Sequence, residues 1–158
     1  MNNLPKSIKE KVDHIVELTR RLVTAIPDFQ YHHTVFFITD DQVQMMSPDL
    51  EGLNKDQTSD YIRSHAKRCN ATAVLQICEA YVVVSNEKDM ESLAQHKTLA
   101  THPDRQEMLV FTLETNMATY VSMVEIKGND RTFSNLAWHE QEVSGRFVGA
   151  LRVPNHIH

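Results

Sequence analysis

The stretch "ATAVLQICEAYVVVS", residues 71–85, constrains the fold more than any other part of the chain. Side chains along a strand point alternately to opposite faces. Here both alternating rows are apolar, which predicts a central strand covered on both sides or close to its neighbours. The remaining segments are assigned around it.

Upstream, Ile8, Val12, Ile15, Val16, Leu22, Val23 and Ile26 recur at spacings of three and four and make one face of a helix over 5–26. Pro5 suits its first turn, where a missing N–H costs nothing, and Pro27 marks its exit. Val35 to Ile38 and Val43 to Met45 flank Asp40-Asp41, predicting a β-hairpin turned by aspartate. A second helix is expected over 55–69, with Tyr61, Ile62, Ala66 and Cys69 inward and Asn70 as its stop. Residues 86–104 read as a loop. Strands at 106–114, 117–127 and 131–141 then form a meander, turning at Thr115-Asn116 and at Gly128-Asn129-Asp130. The end of the chain from Ser144 suits either a helix or a strand. The sum is one α+β domain over 1–158. It has a mainly antiparallel sheet of about five to six strands and two helices packed on one face.

Composition narrows the function classes. A net charge of −5 gives no general attraction to nucleic acid or to an anionic membrane surface. The basic residues Lys6, Lys9, Lys11, Arg20 and Arg21 alternate with Glu10, Asp13 and Glu17, as on a solvated helix face. The longest apolar run, Ala80 to Val84, is too short to span a bilayer, and the N-terminus lacks the apolar core of a signal peptide. Cys69 and Cys78 make neither a disulfide framework nor a zinc pattern, so a cytoplasmic protein with free thiols is expected. With four glycines there is no phosphate-cradling loop or dinucleotide fingerprint, and no cofactor is expected.

Candidate chemistry gathers at "THPDRQEML", residues 101–109, where His102, Asp104, Arg105 and Glu107 lead into a strand. Pro103 keeps His102 extended, and alternation puts Arg105 and Glu107 in the core-facing row with Leu109 and Phe111. Glu79 is the one charge in the row Leu75, Ile77, Glu79, Tyr81, Val83. A carboxylate so placed needs a partner or a shifted pKa, and Arg105 is the expected one. In a catalytic role His102 acts as general base, Arg105 holds an anionic substrate, and Glu107 or Asp104 orients the histidine. In a structural role the same residues form a half-buried ion-pair network at a strand entry. Nine histidines exceed ordinary usage but form no ligand motif. His139 joins His102 as a metal ligand only if the strands bring them together. Trp138, the only tryptophan, is expected to fill the core.

The segments "ATAVLQICEAYVVV", "HPDRQEMLVFTLET", "LAWHEQE" and "GRFVGALRVP" together resemble a family of small bacterial proteins to which no activity is assigned. In that family an apolar strand ending in Glu-Ala-aromatic precedes His-Pro-Asp-Arg-x-Glu and, later, Gly-Arg-Phe. The resemblance covers roughly residues 70–152. It implies that 79–81, 102–107 and 145–147 belong to a shared framework and brings no catalytic residues. Tyr81 stands where the pattern has tryptophan.

Two functions are expected. The first is a non-catalytic binding or accessory module, acting through its sheet or rim on a protein partner or small ligand, with a homodimer as one form of that contact. Its seven methionines suit an adaptable surface. The second is a small metal-assisted or acid–base hydrolase using the His102–Glu107 segment. Neither involves nucleic acid or a membrane. The sequence leaves open whether the protein is an enzyme.

Overall fold

The computed structural model describes residues 1, 3–26, 29, 31–83, 103–126, 131–142 and 151. Its elements are α1 (Lys6–Ala25), β1 (Thr34–Ile38), β2 (Val43–Met46), α2 (Lys55–Arg68), β3 (Ala73–Val82), β4 (Gln106–Thr115), β5 (Thr119–Glu125) and β6 (His139–Glu140). The strands make one sheet in the order β2-β1-β3-β4-β5-β6, and each neighbouring pair is antiparallel. This is the α+β architecture that the sequence predicts.

Local signals account for most boundaries. The α2 N-terminus carries a reciprocal capping box: Asn54 Oδ1 accepts from the Gln57 N–H at 2.8 Å, and Gln57 Oε1 accepts from the Asn54 N–H at 3.0 Å. Asn70 ends the helix at φ +54°, a left-handed position that asparagine tolerates better than most residues. The β1–β2 turn is closed by the Thr39 N–H on the Gln42 carbonyl at 2.9 Å, and Lys11 of α1 ties it down by donating to the Asp40 carbonyl at 2.7 Å. At the β4–β5 turn the Thr115 hydroxyl accepts from the N–H groups of Met117 and Ala118.

The placement of the helices differs from expectation. Ile8, Val12, Ile15, Val16 and Val23 of α1 pack with Leu75, Ile77, Leu109, Phe111 and Leu113. Ile62 and Ala66 of α2 pack with Val35, Phe37 and Val74, which alternation assigns to the opposite face. The two helices therefore cover opposite faces of the sheet rather than sharing one. The cause lies in β3, whose two apolar rows each need a helix to exclude water. The expected strand at 131–141 also contracts to two residues. Phe133, Leu136 and Trp138 instead turn inward onto the α1-side core, with Trp138 edge-on to Phe111 at 6.2 Å. The turn expected at 128–130 and residues 86–102 of the loop expected at 86–104 lie outside the described residues. No helix among the described residues is long and apolar enough to cross a membrane.

Candidate functional site

The α1 side of the sheet is dry at one end and polar at the other. Along β3, Ala73 to Ile77 are buried, whereas Cys78 to Val82 are only partly covered. Glu79 sits on that second half in the same row as Leu75 and Ile77. The β3–β4 register sets Glu79 opposite Leu109 and Tyr81 opposite Glu107, so the two glutamates are diagonal cross-strand neighbours within reach of each other.

Two carboxylates so placed repel, and a proton held on one of them relieves that repulsion. Burial pushes the Glu79 carboxyl up to about 7, helped by the hydrogen bond and charge of Glu107, while the Tyr31 N–H and Arg131 pull the other way. Each glutamate also holds a connecting segment. Glu79 Oε2 accepts from the Tyr31 N–H at 3.1 Å, in the connection between α1 and β1. Glu107 Oε1 accepts from Arg131 Nη2 at 3.0 Å, and the same nitrogen donates to the Phe29 carbonyl at 2.6 Å. Arg131 has φ +47°, and its Nε is buried without a hydrogen-bond partner among the described residues. Two hydrogen-bonded links thus flank the carboxyl pair, one from Tyr31 to Glu79 and one from Glu107 through Arg131 to Phe29.

Of the residues singled out in the sequence, Glu79 and Glu107 come together here. Arg105 does not take the role expected of it. It lies one step beyond the Val82–Gln106 pair, four positions along β4 from the level of Glu79, with its guanidinium 5.9 Å above the Tyr81 ring. The cation acting on Glu79 is Arg131 instead. Asp104 is exposed in the turn before β4. His102 lies outside the described residues. His139 is exposed on β6 opposite Val121, in a row of the α2-side face, whereas Glu107 faces α1. No group of three or more metal-ligating side chains occurs among the described residues. His33 and His65 are instead engaged by glutamines, His33 Nε2 with Gln76 Oε1 at 2.8 Å and His65 Nε2 with Gln44 Oε1 at 2.7 Å. Cys78 is poorly suited to act as a nucleophile, because burial pushes its thiol up to about 11.

Two polar residues of the structure went unflagged by sequence pattern. Arg131 reaches back across the sheet end, with no periodicity to mark it. Glu114 is fully buried on the α2-side face, where Oε1 accepts from the Leu151 N–H at 2.8 Å. Its place in an alternating row that ends in a charge was the available signal.

Beside the carboxyl pair runs an apolar groove between α1 and the β1–β2 hairpin. Two depressions of about 400 and 550 Å³ meet at Met45. Leu18, Val43 and Phe36 line the first, and Leu22, Phe29 and Tyr31 the second. Leu18 and Leu22 are 44% and 43% exposed, and Met45 is 70% exposed. Leu22, expected on the inner face of α1, therefore looks into this groove instead. β2 ends the sheet order on this side, and among the described residues no strand pairs with its outer edge. No family model, curated protein or solved structure matches the chain.

Proposed function

We propose that this protein is a non-catalytic binding module that takes an extended, apolar segment of a partner protein along β2. The observation that carries this reading is the exposed row Leu18, Leu22, Val43 and Met45 beside an edge strand. An added strand satisfies the outer backbone groups of β2, and its alternate side chains fill the groove, which supplies affinity and selectivity respectively. A contiguous apolar patch of this kind marks an interaction surface more often than isolated exposed residues do. The free thiols of Cys69 and Cys78 and the negative net charge are in keeping with a cytoplasmic module that avoids nucleic acid. Membership of the bacterial family that the sequence resembles belongs to the same proposal.

Selection from a displayed library of short random peptides tests it. Enriched peptides should carry apolar residues at alternate positions, and Met45→Lys should weaken their binding at least about tenfold, a loss typical of a buried interface anchor. No enriched pattern, or equal binding to Met45→Lys, would overturn the reading. So would a dimer that Met45→Lys dissociates, which would assign the groove to a second copy of the chain.

A second reading, acid–base hydrolysis with or without a metal at the His102–Glu107 segment, draws on the raised Glu79 carboxyl beside Glu107, since a carboxyl pushed up to about 7 suits proton transfer. Stoichiometric metal in untagged protein, lost in His102→Ala, would favour it over the binding module.

A further inference from the structure

We propose that Glu79 and Glu107 form a proton-operated clamp on the wall of the groove, closed while they share a proton and loosened when both are ionised. The clamp stands on the two hydrogen-bonded links and on the cross-strand placement of the glutamates between them. Its role in controlling partner binding rests on the binding-module function proposed above.

Phe29 and Tyr31 line the groove, and the cluster holds both through their backbones. The groups around Glu79 come from every neighbouring segment. Tyr81 stands beside it on β3. Glu107 faces it from β4 and Arg131 from beyond β5, while Arg105, just before β4, lies over Tyr81. From the other side come the Tyr31 backbone and, through the Tyr31 phenol, the Thr19 hydroxyl of α1 at 3.4 Å.

With one proton shared, the two carboxyl groups carry a single negative charge, which Arg131 balances. Loss of that proton to water leaves two negative charges on neighbouring carboxylates beside the one Arg131 guanidinium. The two glutamates do not respond alike. Glu107 keeps the Arg131 guanidinium, a charge-assisted contact that strengthens with full ionisation. Glu79 is held by the Tyr31 N–H, so it is the side chain that turns towards solvent and gives up that bond. The connection between α1 and β1 is then freed at Tyr31, and the groove loses a fixed wall. A partner that needs that wall preformed binds more tightly on the acid side of the transition.

The test needs no partner. Amide hydrogen exchange at Tyr31, corrected for the intrinsic pH dependence of exchange, is followed from pH 5.5 to 8.5 in wild type and in Glu79→Gln. The glutamine keeps an acceptor for Tyr31 and offers Glu107 a permanent donor. Wild-type protection should fall about tenfold across a transition near neutral pH, while Glu79→Gln stays protected throughout. A flat wild-type profile, or the same fall in Glu79→Gln, would overturn the clamp. Should Glu79→Gln fail to fold, the side-chain ¹³C signal of Glu79 in wild type decides the matter: a midpoint in the ordinary carboxylate range sinks the clamp, and one near neutral supports it. Failure of peptide selection would leave these outcomes unchanged, so the two ideas fall separately.

Discussion

At the scale of single residues, the Glu79 carboxyl links structure to solution conditions. Its pKa is raised from the ordinary 4.5 to about 7, so the folded chain holds this proton more tightly than the unfolded chain does. The stabilisation is therefore complete below about pH 4.5, is lost as the pH rises, and is gone above about pH 7. Because the site is only half-buried and solvent screens it, the loss is about 1–2 kcal/mol rather than the full equivalent of the shift. Glu79→Gln removes this titration. Urea denaturation should find the variant more stable than wild type at pH 8 by that amount and nearly equal to it at pH 5. Parallel stability profiles for the two proteins across this range would mean that the carboxyl pair carries no such linkage. The residues of this cluster were unequally visible in the sequence. Glu79 and Glu107 stood out as charges in apolar rows of period two. Arg131 did not, because its partners come from β4 and from the segment before β1, and no local pattern records a contact made across the sheet.

At the scale of elements, the readable signals were those that act within a few residues. The spacing of Ile8, Val12, Ile15 and Val16 marked out α1, alternation marked β1 and β2, and Asn70 marked the end of α2. The capping box before α2 is equally local, and its two hydrogen bonds involve exposed side chains with little else to do. Asn54→Ala removes the acceptor for the Gln57 N–H and should cost about 1 kcal/mol, measured as a lower urea midpoint. An unchanged midpoint would show that water replaces the box without penalty. Long-range placement was harder to read. An amphipathic helix announces that it has an apolar face, but where both faces of the sheet are apolar it does not announce which face it covers. The same holds for β6, where Phe133 and Trp138 follow the shape of the core instead of an alternating strand.

At the scale of the whole molecule, covering the sheet from opposite sides makes β3 a shared wall between two cores. One core packs α1 on Leu75, Ile77, Leu109 and Leu113, and the other packs α2 on Val35, Phe37 and Val74. Neither helix can leave without exposing one row of the same strand to water, so the two cores should melt together. Leu113→Ala on the α1 side and Ile62→Ala on the α2 side each empty a fully buried position and should each cost about 2–5 kcal/mol. The decisive observation is the shape of the transition rather than its midpoint. Trp138 fluorescence reports on the α1-side core, where its ring meets Phe111, and far-ultraviolet circular dichroism reports on both helices and the sheet. In wild type and in both variants the two signals should coincide in one transition. If Ile62→Ala splits them, with helix signal lost before the tryptophan responds, α2 and its small core form a separable unit. The sheet would then owe its cooperativity to the α1 side alone, the side that also carries the carboxyl pair and the groove.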